Sequence, residues 1–127
     1  MFLKKTALIS FIFLISFFVL SSCVSRYEDL QLALTKHYST LQWGEPESAS
    51  INVDPKIKEE FISEWEKRFK DNKIAGYELK RISIAEDGIR AIVKIEFMLY
   101  SEKTMVAKHE TEVHLWEMKN NIWYRVK

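Results

Sequence analysis

The hydrophobic pattern of this chain changes period once, at Gly76, and that change limits the folds open to it. Before Gly76 apolar residues recur every three to four positions; after it they alternate every second position. Leu30, Leu34, Tyr38 and Leu41, with Ala33 and His37 beside them, share one helix face, and the spacing predicts a helix over Tyr27 to Trp43. Gly44 and Pro46 end it, and Glu45 to Val53 is a connection with room for a short helical turn. Asp54-Pro55 predicts a second helix start, because the carboxylate can cap free N–H groups and proline suits the first helical position. Its apolar stripe is Ile57, Phe61, Trp65 and Phe69, widened by Ile62, and Asp71-Asn72-Lys73 closes it.

The remainder reads as strands joined by short turns. In the first, Tyr77 to Ala85, the apolar parity switches between Tyr77 and Leu79 and then Ile82 and Ile84, which predicts a β-bulge near Lys80 and Arg81. Asp87-Gly88 suits a two-residue hairpin turn, and Ile89, Ala91, Val93, Ile95, Phe97 and Leu99 form the dominant face of a long central strand. Ser101 to Thr104 turns the chain into Met105 to Met118, where Met105, Ala107, His109, Thr111, Val113 and Leu115 share what is read as the inner face. Asn120-Asn121 then pairs Met118 with Trp123 and Trp116 with Arg125 on a last strand, Ile122 to Val126. With no repeat and no low-complexity linker, the expectation is one α+β domain, two amphipathic helices on a curved antiparallel sheet of about four strands.

Upstream of this domain, Lys4 and Lys5 precede an apolar run from Ala7 to Leu20, then Ser21, Ser22 and Cys23, the layout of a secretory signal with its cleavage site. The run is shorter than the ~20 residues that span a bilayer. Leu20-Ser21-Ser22-Cys23 resembles the lipobox of bacterial lipoproteins. That resemblance implies cleavage after Ser22, acyl chains on Cys23, a signal peptide over 1–22 and an anchored domain over 23–127 with 23–28 as a short tether. Val24 and Ser25 follow the cysteine, and the absence of aspartate there implies the outer membrane of a two-membrane bacterium, facing the periplasm. As the only cysteine in the sequence, Cys23 can build neither an intramolecular disulfide nor a cysteine-based zinc site. Removing Lys4 and Lys5 from the 19 basic residues leaves 17 against 18 acidic ones, without the concentrated basic face that nucleic acid requires. Membrane contact is therefore expected from the acyl chains.

The order of elements, with His37-Tyr38, Leu41-Gln42-Trp43-Gly44, Val53-Asp54-Pro55 and the closing Ile122-Trp123-Tyr124-Arg125-Val126, resembles the nuclear transport factor 2-like superfamily. Its cone-shaped domains include ketosteroid isomerase, polyketide-cyclase-like enzymes and many small bacterial lipoproteins. The resemblance implies a pocket between helices and sheet, where a buried carboxylate or histidine does acid–base work. His109 and Thr111 are the polar exceptions on the inner strand face as read, and His37 and Tyr38 can approach the same space. A small isomerase or cyclase using His109 is accordingly one reading. Against it, the aspartates fall at turns and helix ends, and none matches the isomerase base. No glycine-flanked serine and no glycine-rich phosphate loop occur, and His109 and His114 differ in parity, so no catalytic residue, metal or cofactor is assigned. Trp116, Met118, Trp123 and Arg125 are read on the outer sheet face, with Arg125 stacked on Trp116 and with Ile92, Met98 and Tyr100 extending the patch. Superfamily members often pair through that face, which implies a homodimer or an envelope protein partner. The preferred reading is a non-catalytic binding or assembly module, for a protein or for a small apolar ligand in the cone.

Overall fold

The computed structural model describes residues 26–127, and Cys23 and the signal segment lie outside the described residues. Helix α1 covers 26–42 among them. It is followed by α2 (Pro46–Ala49), a 3-10 turn (Ser50–Asn52) and α3 (Lys58–Asp71). Four strands complete the chain: β1 (Lys73–Ile84), β2 (Arg90–Tyr100), β3 (Ala107–Lys119) and β4 (Ile122–Arg125). They form one antiparallel sheet in the order β1-β2-β3-β4. The helices cover one side of that sheet, as the change of period implies. Among the described residues no helix is long and apolar enough to cross a membrane.

The α1 stripe is buried as expected: Leu30, Leu34, His37, Tyr38 and Leu41 all face the core, with Phe61 and Trp65 of α3 beside them. The start of α3 differs from expectation. Asp54 Oδ1 accepts from the Lys56 amide at 2.8 Å and Ile57 N–H donates to the Asp54 carbonyl, so Asp54-Pro55 forms a turn one step ahead of the helix. Asp54 is also engaged elsewhere: its amide donates to the Arg125 carbonyl, and its side chain pairs with Lys119. This fastens the helix start to the β3–β4 edge.

Strand β1 begins at Lys73 and carries two bulges, between Ile74 and Gly76 and between Leu79 and Arg81. The second is the one anticipated from parity, and it brings Tyr77, Leu79, Ile82 and Ile84 together against the core. The β1–β2 connection is longer than two residues: Ala85 and Arg90 flank it, Gly88 N–H donates to the Ala85 carbonyl, and Gly88 has φ 71°. The β3–β4 turn is the two-residue kind, with Asn120 and Asn121 at φ 52° and 62°.

The main correction concerns the faces of β3. Ala91 pairs with Trp116, Val93 with His114 and Ile95 with Glu112, so Glu112, His114, Trp116 and Met118 point inward. Thr111, Val113 and Leu115 point outward with His109. Both faces of β3 carry apolar residues, so counting aliphatics could not decide between them. Burial of Trp116 removes more apolar surface from water than Val113 or Leu115 would, and α1 and α3 supply polar partners for His114 and Glu112.

Candidate functional site

The space between helices and sheet, where a pocket was expected, is occupied by side chains. Tyr38, Trp116 and Phe97 are buried completely and Trp65 almost so. His37 packs edge-on against Trp116 with ring centroids 5.3 Å apart, and Trp65 packs edge-on against Phe97 at 5.2 Å. Trp116 and Trp123 thus belong to the core, and the expected outer patch built on them is not formed. Met118 is partly buried against the same cluster. Arg125 is buried with its guanidinium over the Phe61 ring at 5.2 Å; the expected stack on Trp116 is replaced by this contact.

A hydrogen-bonded chain runs through this interior. Tyr38 Oη lies 2.5 Å from His114 Nδ1, His114 Nε2 lies 2.9 Å from Glu112 Oε1, and Arg68 Nη1 donates to Glu112 Oε2 at 2.9 Å. Burial disfavours the charged form of Glu112, but the hydrogen bond from His114 and then that from Arg68 outweigh it and hold its pKa at about 2. An ionised carboxylate only accepts, so His114 Nε2 carries the proton, Nδ1 is the acceptor, and the Tyr38 hydroxyl donates to it. Burial lowers the His114 pKa, which keeps the ring neutral in this arrangement.

Carboxylate, imidazole and hydroxyl therefore stand in the order that acid–base catalysis uses. The hydroxyl, however, is sealed in: Tyr38 is 0 % exposed and surrounded by Tyr77, Phe97 and Trp116. A catalytic group must reach a substrate proton at hydrogen-bond distance, directly or through one water. Burial also pushes the Tyr38 pKa up, so the phenol stays neutral. These contacts hold α1, α3 and β3 in register. His37 Nδ1 bonds the Ala49 carbonyl at 2.8 Å, and burial, then the positive charge of Arg125, lower its pKa to about 3. Among the described residues His37 Nε2, Trp116 Nε1, Trp123 Nε1 and Arg125 Nη1 are buried without a hydrogen-bond partner.

Of the residues proposed from sequence to share a pocket, His37 and Tyr38 are interior while His109 and Thr111 are on the opposite side of the sheet. His109 is exposed and bonds Glu96 across the strands at 2.9 Å. Glu112, His114 and Arg68 were missed. The available signal was the Glu112-x-His114 spacing, which puts two hydrogen-bonding groups on one strand face.

The sheet face that the described residues leave uncovered is the other candidate. Ile92 pairs with Leu115 and Lys94 with Val113, and Ile92 and Val113 are 52 % and 59 % exposed. Met98 is also exposed, and Tyr100 is half-buried. At one end of this face a hollow of about 450 Å³ is lined by Ser83, Arg90, Ile92, Leu115 and Glu117 among others. Arg81, Lys94, Glu78 and Glu96 border the apolar strip, giving it a mixed-charge rim.

No family model matches the chain, and no curated protein matches it. Solved structures do share its fold. A nuclear transport factor 2-like protein of unknown function from Shewanella oneidensis aligns with TM-score 0.60 at 13 % identity, over 79 % of this chain and 93 % of its own. A ketosteroid isomerase-like protein from Erwinia carotovora aligns with TM-score 0.59 at 14 % identity, over 76 % and 87 %. A SEC-C motif containing protein from Rhodopseudomonas palustris aligns with TM-score 0.60 at 11 % identity, over 71 % and 69 %. At these identities the likeness establishes the cone-like α+β fold and leaves function to the site.

Proposed function

We propose that the chain is an envelope lipoprotein held by acyl chains on Cys23 at the periplasmic face of the outer membrane. Its domain acts as a non-catalytic binding module that engages a protein surface, a second copy being the simplest, through the uncovered sheet face. The observation carrying this reading is the division of the sheet: the inner face is filled by aromatic side chains, while Ile92, Val113 and Leu115 form an apolar strip on the outer one. A strip rimmed by charge is what a protein–protein contact requires, and a filled cone does not favour turnover of a small ligand. The isomerase reading loses its base, since His109 lies on the wrong face.

Sedimentation of the full-length acylated protein in mild detergent tests the reading. The wild type is expected to self-associate, and Ile92→Glu with Val113→Glu is expected to run as a monomer. A wild type that is already monomeric, or a double variant with unchanged association, refutes pairing through this face.

A further inference from the structure

Helix α1 exposes two large apolar residues, Leu32 and Trp43, on the side opposite its buried stripe. At 100° per residue Leu32, Lys36 and Trp43 fall within about 40° of one another, with Asp29 bordering them on one side and Ser39, hydrogen-bonded to the Tyr77 hydroxyl of β1 at 2.9 Å, on the other. Leu30, Leu34, His37 and Leu41 face the other way into the core. Trp43 still follows the helical path, its amide 3.3 Å from the Ser39 carbonyl. Trp43 is 83 % exposed and Leu32 70 %. The other described tryptophans, Trp65, Trp116 and Trp123, are all buried. Core packing therefore explains the inner stripe, and among the described residues it leaves Leu32 and Trp43 largely exposed.

Position along the chain indicates what covers them. Only Val24 and Ser25 separate Cys23 from Arg26, a reach of no more than about 10 Å, so an acyl group on Cys23 holds the Arg26 end of α1 near the lipid surface. From Arg26 to Trp43 the helix runs about 25 Å, so a helix standing on end would lift Trp43 clear of the bilayer and one lying flat brings it to the headgroups. Indole rings favour that boundary, with the apolar body in the acyl region and the N–H toward water, and Lys36 can extend its ammonium to lipid phosphates. We infer that α1 lies along the membrane with Leu32 and Trp43 inserted at the lipid interface, so that the anchored domain docks in one orientation. This rests on the anchor at Cys23.

The acylated protein, purified from membranes and returned to vesicles of phosphatidylethanolamine and phosphatidylglycerol with brominated acyl chains, provides the test. Trp43 emission is expected to be lost to the brominated lipid and to become inaccessible to acrylamide. Trp43→Phe should abolish that lipid-quenched component, and Leu32→Glu should reduce it, whereas an upright helix is indifferent to Leu32. Acylated protein whose Trp43 stays open to acrylamide and unquenched by lipid overturns the orientation and leaves the anchor standing. Protection from acrylamide without lipid quenching means that protein covers Trp43, and also overturns it. Absence of acyl mass on the purified chain overturns the anchor and the orientation together.

Discussion

His37 makes stability strongly dependent on pH, and the size of the effect follows from its surroundings. The ring is buried against Tyr38, Phe61 and Trp116, donates to the Ala49 carbonyl, and feels the positive charge of Arg125. Burial first and Arg125 next bring its pKa from 6.5 to about 3. The unfolded chain therefore binds a proton below pH 6.5 that the folded chain refuses, and acid favours unfolding. Linkage converts this to about 1.4 kcal/mol per pH unit, or roughly 2 kcal/mol lost between pH 7 and pH 5, continuing to near pH 3. His114 is also lowered by burial and adds to the loss in the same direction. Glu112 contributes only on further acidification, as the unfolded carboxylate protonates near pH 4.5. Equilibrium urea unfolding at a series of pH values, followed by tryptophan fluorescence, reads the slope. His37→Gln keeps a donor for Ala49 and carries no titrating group, so its slope should fall by about 1.4 kcal/mol per pH unit whatever its stability at pH 7. Equal midpoints for the wild type at pH 7 and pH 5, or an unchanged slope in His37→Gln, would refute the argument.

Other outcomes follow from the same contacts. Trp116→Ala opens a void beneath α1 and should cost about 3–5 kcal/mol in unfolding free energy, where a surface tryptophan would cost far less. Arg68→Ala leaves the half-buried Glu112 without its cation and should cost about 1–3 kcal/mol, seen as a lower urea midpoint. His109→Ala, on the open face, should leave stability within about 0.5 kcal/mol of wild type. Asn121→Val puts a β-branched residue at a φ of 62° and should cost about 1–2 kcal/mol, measurable by thermal unfolding.

The fold was legible in the sequence wherever one local signal settled the matter. The α1 and α3 stripes, the bulge after Leu79, the alternation of β2 and the Asn120-Asn121 turn each rest on residues within a few positions of one another. Even the pairing of Met118 with Trp123 followed from the turn alone. The face of β3 did not, because its two sides differ little in apolar content. Which side is buried depends on residues far away: Tyr38 on α1 takes His114, and Arg68 on α3 takes Glu112. A strand bearing Glu112 and His114 reads as wet until the helices that neutralise them are in place. That single inversion carried the site with it, moving Trp116, Trp123 and Arg125 into the core and His109 and Thr111 out of it. The expectation that survives on the outer face is its β2 half, Ile92 and Met98, now joined by Val113 and Leu115.

The two proposed contacts constrain each other through the order of layers. Helix α1 covers one side of the sheet, and the Ile92–Val113–Leu115 strip lies on the other, so a membrane against Leu32 and Trp43 of α1 places that strip on the far side of the domain, toward solvent. The partner face is then presented outward by the same docking that buries Trp43. An upright or freely turning domain would present that face in many directions and meet a membrane-fixed partner less often, since rotational freedom is part of what association must overcome. Leu32→Glu should therefore weaken pairing between anchored copies on a vesicle while leaving pairing in detergent unchanged, whereas Val113→Glu should weaken both. Cross-linking of acylated protein in the two environments separates these effects. If Leu32→Glu changes pairing equally in vesicle and detergent, Leu32 contributes directly to a protein contact and the layered arrangement is wrong.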